Sequence, residues 1–175
     1  MNLRTPGPIP ISEDILEMMS SPMINHRGPE FAELLSRTTT KLKTIFATVG
    51  DMYIITGSGT GAMEAAVVNT MSPGDKILNL SVGAFGDRFG QIANLFGAEV
   101  TNIKFPSGTT VTLDKVREAL NSDPSIKSVL VTHNETSTGV TNDIESIAKV
   151  VKKEFGKLLL VDGISSVASI PMLTD

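Results

Sequence analysis

One glycine-rich segment of the sequence has the composition of a phosphate-binding turn. Thr56-Gly57-Ser58-Gly59-Thr60-Gly61-Ala62 lies between an apolar run and a helical pattern, and it combines three glycines with hydroxyl side chains. Backbone N–H groups at such a helix N-terminus can approach and bind a phosphate. A tight strand-to-helix turn with Thr60 as its N-cap accounts for the same composition. Both interpretations stay open from this segment alone.

The same segment satisfies the dinucleotide-binding pattern Gly57-x-Gly59-x-x-Ala62, which is a weak signal by itself. A dinucleotide site also needs an acidic residue about 20 residues later, at the end of the next strand, to bind a ribose. The sequence has Asn79-Leu80-Ser81-Val82 at that place. A cofactor with one terminal phosphate is therefore favoured, and a NAD-type oxidoreductase domain is kept as the alternative.

Asp162 ends the most apolar run of the chain, Leu158-Leu159-Leu160-Val161. Burial of its carboxylate is costly unless a cation or strong hydrogen-bond donors meet it. One role is an N-cap for the segment after Gly163. The other is to keep a ring nitrogen protonated, since each pKa unit gained by that nitrogen corresponds to about 1.4 kcal/mol. A cofactor that acts as an electron sink requires such a carboxylate.

Two further segments carry candidate side chains in polar turns. Phe85 lies in Gly83-Ala84-Phe85-Gly86, where its ring could cover a planar cofactor or belong to the core at a helix start. His133 precedes Asn134-Glu135-Thr136-Ser137-Thr138, whose composition is typical of a turn. A histidine at a strand end is more often hydrogen-bonded than catalytic.

These segments all follow apolar runs in an alternating pattern of elements. Strands are predicted over 52–56, 76–82, 99–103, 128–133 and 158–162, and helices over 62–71, 87–96, 113–120 and 144–155, with Thr112 and Asn142 as N-caps. Residues 1–28 are predicted to form an arm with a short helix after Ser12, and Pro29 opens an amphipathic helix. The alternation predicts an α/β fold with a mainly parallel sheet covered on both faces. Ligands of such sheets bind at the carboxyl ends of the strands.

Composition narrows the classes of function. The 175 residues are 41% apolar and 19% charged, with no cysteine and two histidines, so we expect a globular protein without a disulfide framework or a metal site. The net charge of −4 gives no general attraction to nucleic acid or anionic membranes. The sequence has neither the apolar stretch of a secretory signal nor that of a membrane span. We therefore expect a cytoplasmic protein.

Four segments, in this order, resemble the class V aminotransferases, which use pyridoxal 5′-phosphate (PLP), and in particular the alanine–glyoxylate, serine–glyoxylate and serine–pyruvate branch. They are TGSGTGAMEA (56–65), SVGAFGDR (81–88), THNETSTG (132–139) and LLLVDGISS (158–166). TPGP (5–8) and PMINHRGPEF (22–31) resemble the N-terminal arm of that branch. The resemblance covers essentially the whole chain and implies the large domain of a fold-type I PLP-dependent transferase.

The resemblance also implies a set of cofactor-binding residues. They are Ser58, Gly59 and Thr60 at the PLP phosphate, Phe85 stacked on the pyridine ring, Thr136 beside the ring and its 3′-oxygen, and Asp162, also catalytic, at the pyridine nitrogen. Cysteine desulfurases of the family have a histidine at the position of Phe85, so an aminotransferase is favoured. The implied reaction moves an amino group from alanine or serine to glyoxylate or pyruvate, in a homodimer.

One family feature has no counterpart in this sequence. The family's Schiff-base lysine lies beyond the aspartate, and none of the ten lysines here follows Asp162. We therefore expect residues 29–175 to be the N-terminal part of the PLP-binding large domain, with its C-terminal part and the small domain absent, and the chain alone to be inactive. A catalytically silent chain that binds a partner is a further alternative.

Overall fold

The computed structural model describes residues 3–175, which form two compact units. The first unit contains the residues up to 54 together with residues 174 and 175, and the second contains Ile55–Leu173. Every cofactor-binding residue predicted above lies in the second unit. Among the described residues, no helix has both the length and the apolar character that a membrane span requires. The predicted division into an arm over 1–28 and part of the large domain over 29–175 refers to the domains of a complete enzyme, and it stays a prediction.

The described part of the first unit contains two helices, α1 (Glu13–Met19) and α2 (Pro29–Ile45). Ser12 occupies the N-cap position of α1 without a side-chain hydrogen bond to the helix backbone, and Pro29 is at the start of α2, as predicted. After α2, Asp175 accepts hydrogen bonds from Thr48 Oγ1 and Val49 N, each at 2.7 Å. These bonds tie the end of the chain to the segment that leaves α2.

The second unit is built on a four-stranded parallel sheet. In spatial order its strands are β2 (Glu99–Lys104), β1 (Lys76–Ser81), β3 (Ser128–Thr132) and β6 (Leu158–Asp162). A short antiparallel pair, β4 (Asn134–Glu135) and β5 (Val140–Thr141), follows β3. The register pairs Thr132 with Asp162, so β3 and β6 end side by side at the carboxyl edge. This sheet confirms the predicted α/β class.

The strand predicted over 52–56 is wrong. None of the described strands includes these residues, and Tyr53, Ile54 and Ile55 are exposed, Tyr53 by 78%. The β-branched composition of the segment is real, but a strand needs a neighbour to complete its hydrogen bonds, and residues 3–175 supply none here. The other four strand predictions are confirmed to within one residue at each end.

Helices cover both faces of the sheet. They are α3 (Gly59–Thr70), α4 (Ala84–Leu95), α5 (Leu113–Ser122) and α6 (Ile144–Ala148), which continues as a π-helix over Lys149–Glu154. Ile77 and Leu130 pack with the buried residues of α3 and α4, whereas Leu78 and Val129 pack with those of α5 and α6. The apolar character of successive strand residues therefore follows from burial on both faces.

The start of α6 corrects a predicted cap. Thr112 occupies the N-cap position of α5 as predicted, without a side-chain hydrogen bond, but Asn142 does not cap α6. Asp143 caps α6, and its carboxylate accepts a hydrogen bond from Ser146 N at 3.0 Å. Asn142 is buried instead, where its amide donates to the Thr132 carbonyl at 2.8 Å. Sequence favours both residue types at a cap, and only burial distinguishes them.

Candidate functional site

Segments from four parts of the second unit meet at the carboxyl edge of the sheet. Arg88 Nη1 in α4 lies 3.4 Å from Thr60 Oγ1 at the start of α3 and donates a hydrogen bond to it. Ser165 Oγ, after β6, donates to the carbonyl of Asn134 at 2.9 Å. The carboxylate of Glu135 joins the β4–β5 turn to α4, as described below. Hydrogen bonds between residues distant in sequence thus join these segments.

The N-terminus of α3 has backbone donors without acceptors. Ser58, not Thr60, is the N-cap, and its Oγ accepts a hydrogen bond from Gly61 N at 3.2 Å. The N–H groups of Gly59 and Thr60 have no acceptor among the described residues. Free N–H groups and the positive end of the helix dipole together favour an anion. The predicted phosphate-binding residues therefore have the chemistry that a phosphate requires.

The N-terminus of α4 is already satisfied by side chains from the β4–β5 turn. Phe85 N lies 3.2 and 3.1 Å from the two carboxylate oxygens of Glu135, and Gly86 N donates to Glu135 Oε2 at 3.0 Å. Ala84 N donates to Ser137 Oγ at 3.1 Å. Of these two helix N-termini, α3 is the one left open to an external anion. The local sequence around Glu135 predicted only a turn and gave no sign of this role, because its partners in α4 are distant in sequence.

Phe85 lies at the start of α4 and is half-buried. The guanidinium carbon of Arg88 lies 5.0 Å from the centroid of its ring, which is within the range of a cation–π interaction. Arg88 thus contacts both the aromatic ring and the hydroxyl of Thr60. The sequence patterns above predicted no role for Arg88. A cation three residues after the aromatic, on the same helix face, was the available signal.

Asp162 is a buried carboxylate with one unused oxygen. Its side chain is held at the end of β6, and the residue is 8% exposed. Oδ1 accepts a hydrogen bond from Ile164 N at 3.1 Å, whereas Oδ2 has no partner among the described residues. Burial raises the pKa of Asp162, the Ile164 N–H lowers it, and the charge of Glu135 raises it further. An unpartnered carboxylate oxygen of this kind suits a protonated ring nitrogen.

Thr136 and His133 complete the set of sequence candidates. Thr136 is half-buried in the turn after β4, and its side chain makes no hydrogen bond to another described residue. His133 is buried, its backbone N–H donates to the carbonyl of Asp162 at 2.8 Å, and its Nδ1 has no partner among residues 3–175. Burial lowers the pKa of His133, which favours the neutral imidazole.

Comparison with known proteins gives a consistent result. The family described as aminotransferase class-V matches residues 12–175. An uncharacterised aminotransferase of Methanocaldococcus jannaschii is 41% identical over 94% of this chain and 42% of its own length. A serine–glyoxylate aminotransferase of Methylorubrum extorquens is 35% identical over 99% of this chain and 44% of its own length.

The fold of this chain also matches that of a solved aminotransferase structure. The alanine–glyoxylate aminotransferase of Nostoc sp. superposes with a TM-score of 0.91 and 33% identity, over 97% of this chain and 45% of that one. The chain thus spans less than half the length of the proteins it matches. The fold is that of a PLP-dependent aminotransferase, and the match does not support the NAD-type oxidoreductase alternative. The chain belongs to the class-V aminotransferase family.

Proposed function

We propose that this chain is the PLP-binding part of an aminotransferase that moves an amino group from alanine or serine to glyoxylate or pyruvate. One observation carries the proposal: the same sheet edge has an open helix N-terminus, at α3, and a buried carboxylate oxygen without a partner, on Asp162. A phosphate and a protonated ring nitrogen are complementary to these two features. The names of the two glyoxylate aminotransferases above support the choice of substrates.

Ser58, Gly59 and Thr60 would hold the PLP phosphate. The N–H groups of Gly59 and Thr60 are free to donate to its oxygens, and the dipole of α3 favours its negative charge. The hydroxyl of Thr60, already contacted by Arg88, adds a further donor at the same place. Binding the phosphate would orient the rest of the cofactor relative to the end of β6.

Asp162 would bind the ring nitrogen and hold a proton there. Its Oδ1 is oriented by the Ile164 N–H, which leaves Oδ2 free to accept a hydrogen bond from that nitrogen. A buried carboxylate in contact with a cation raises the pKa of the cation and keeps it charged. PLP, when bound, supplies the electron sink for amino-group transfer, and a protonated ring nitrogen strengthens it.

Phe85 and Thr136 would contact the ring itself. Phe85 presents a half-buried aromatic ring that could stack on the pyridine, and Thr136 has a hydroxyl without a described partner that could bind the 3′-oxygen. The chain covers less than half the length of the relatives above, and we propose that the lysine that binds PLP covalently belongs to the part that it does not cover. We extend the proposal to a cytoplasmic homodimer whose large domain includes residues 29–175, and this chain alone would be inactive.

The experiment is a titration of the complete protein with PLP and, separately, with NAD, followed by fluorescence and visible absorbance. We expect saturable binding of PLP and none of NAD, and then transfer of the amino group from alanine or serine to glyoxylate or pyruvate. Ser58→Ala should weaken PLP binding, whereas Ser122→Ala, the same change at the far end of α5, should not. A protein that does not bind PLP would contradict the proposal.

A further inference from the structure

Glu135 is a fully buried carboxylate in the β4–β5 turn, with an exposed fraction of 0%. Its oxygens accept hydrogen bonds from the backbone N–H groups of Phe85 and Gly86 in α4, at 3.0 to 3.2 Å. They also accept from Ser137 N at 3.2 Å and from Ser137 Oγ at 2.6 Å. We call this set of contacts, together with the bond from Ala84 N to Ser137 Oγ, the Glu135 clamp.

The clamp replaces the cap that α4 lacks. The N-cap residue Gly83 has no side chain to accept from the first N–H groups of the helix, so Glu135 and Ser137 supply the acceptors from about 50 residues further along the chain. A Cβ at Gly83 would lie 2.5 Å from Glu135 Cγ and 2.6 Å from Ser137 Oγ. Glycine is needed there because of this close approach and not because of backbone strain, since its φ of 168° is extended.

The clamp acts on both residues proposed to contact the ring. It binds the backbone N–H of Phe85 directly. It also folds the turn around Thr136, because Glu135 bonds to both the N–H and the hydroxyl of Ser137, the residue on the other side of Thr136. The positions of Phe85 and Thr136 are therefore set by one buried carboxylate.

We propose that Glu135 is a positioning residue that fixes Phe85 relative to Thr136 and so sets the slot in which the PLP ring binds. This inference rests on the proposed function. If the clamp only stabilised the fold, weakening its hydrogen bonds would lower the melting temperature and leave PLP binding unchanged. A positioning role predicts in addition that weakening the clamp changes how tightly and in what orientation the ring is held.

The experiment compares Glu135→Gln and Glu135→Asp with the unsubstituted complete protein. Glutamine keeps the volume but offers one acceptor oxygen where the carboxylate offers two, and it turns an NH₂ group toward an N–H donor. Aspartate keeps the charge but shortens the reach. The measurements are the dissociation constant of PLP from the apoprotein, the visible circular dichroism of bound PLP, and the melting temperature.

We expect Glu135→Gln to weaken PLP binding about tenfold or more and to reduce the circular dichroism of bound PLP, with Glu135→Asp intermediate. The control is Asn142→Ser, a buried polar residue that bonds Val111 N and the Thr132 carbonyl. It should lower the melting temperature but leave the PLP dissociation constant within about twofold of the unsubstituted value.

Three outcomes are distinguishable. If the unsubstituted protein does not bind PLP, the proposed function fails. If it binds PLP and Glu135→Gln retains the same dissociation constant and circular dichroism, this inference alone is overturned. If Glu135→Gln does not fold, Ser137→Ala decides, because it removes one hydroxyl of the clamp: about threefold weaker PLP binding supports positioning, and unchanged binding overturns it.

Discussion

Asp162→Asn should stabilise the apoprotein and weaken cofactor binding at the same time. Asparagine keeps an oxygen that can accept from Ile164 N, as Oδ1 does now at 3.1 Å, so the end of β6 retains its local geometry. What changes is the atom at the position of Oδ2, which has no partner among the described residues. The two effects have opposite signs because the same charge is unfavourable without a cation and favourable with one.

The stabilising effect follows from the pKa of Asp162. Burial raises this pKa above the ordinary value of 3.8, so the folded apoprotein binds the proton more tightly than the unfolded chain does. The ionised carboxylate therefore costs stability above the folded-state pKa, and the cost disappears as the pH falls below 3.8. Its size is about 1.4 kcal/mol for each unit of difference between the two pKa values. Asparagine removes this cost and its pH dependence.

The loss of binding follows from the missing charged hydrogen bond. A hydrogen bond to a charged group contributes about 1.5 to 3 kcal/mol, which corresponds to about 10- to 150-fold in the dissociation constant of PLP. Chemical denaturation of the apoprotein between about pH 4 and pH 8 measures the first effect, and PLP titration measures the second. The window starts near the ordinary pKa of an aspartate, where the cost begins to appear.

Asp123→Asn is a matched control with the opposite sign. Hydrogen bonds from Ser125 and the ion pair with Lys76 lower the pKa of Asp123 to about 2. The ionised Asp123 carboxylate thus stabilises the fold above the ordinary pKa of 3.8, and this stabilisation is lost as the pH falls. Asp123→Asn should not affect PLP binding. An Asp162→Asn apoprotein that is less stable at pH 7 would refute the view of Asp162 as an uncompensated buried charge. An unchanged PLP dissociation constant would refute its role at the ring nitrogen.

Three further substitutions test the surroundings of the site and the first unit. Gly90→Ala should lower the free energy of unfolding, because the added Cβ would overlap the buried side-chain amide of Asn79. Alanine favours a helix over glycine by about 1 kcal/mol, so a more stable variant in chemical denaturation would contradict this packing. Arg88→Gln should weaken PLP binding about three- to tenfold, because Arg88 places a cation beside Thr60; an unchanged dissociation constant would exclude this contribution. Ala47→Gly should raise stability by about 0.5 to 1 kcal/mol, because Ala47 has a φ of 47°; a lower melting temperature would show that this conformation is not strained.

The sequence predicted much of the candidate site because its signals are local. A glycine-rich turn before a helix and an aspartate after an apolar run are each visible within ten residues. The rule that ligands bind at the carboxyl ends of parallel strands points to Asp162 at the end of β6. No described strand precedes Ser58, and its turn lies near the end of β6 through tertiary contacts such as the close approach of Ile164 to Gly59. The predicted cap of α3, Thr60, is wrong, because Ser58 has an equivalent hydroxyl and is the residue at the N-cap position. Only the backbone conformation selects Ser58.

Other features could not be predicted because their partners are distant in sequence. Glu135 lies in a segment with the composition of a turn, yet its carboxylate accepts hydrogen bonds from the backbone of α4, whose Phe85 is 50 residues earlier in the chain. Asn142 has the residue type of a cap, yet it is buried and bonds to Val111. The run over 52–56 has the composition of a strand but no strand beside it among the described residues. In the first two cases a tertiary contact overrides a local preference, and in the third the neighbouring strand that the preference requires is not among the described residues.

The sequence by itself determined the alternation of strands and helices, the apolar core and the residue types at the carboxyl edge, because periodicity and burial are encoded within single elements. Only the tertiary structure decided which helix N-terminus is open to an anion. The buried carboxylate of Glu135 satisfies the first N–H groups of α4, and no described acceptor reaches those of Gly59 and Thr60. Whether a donor is free depends on every group that can approach it, and that is a property of the packed chain.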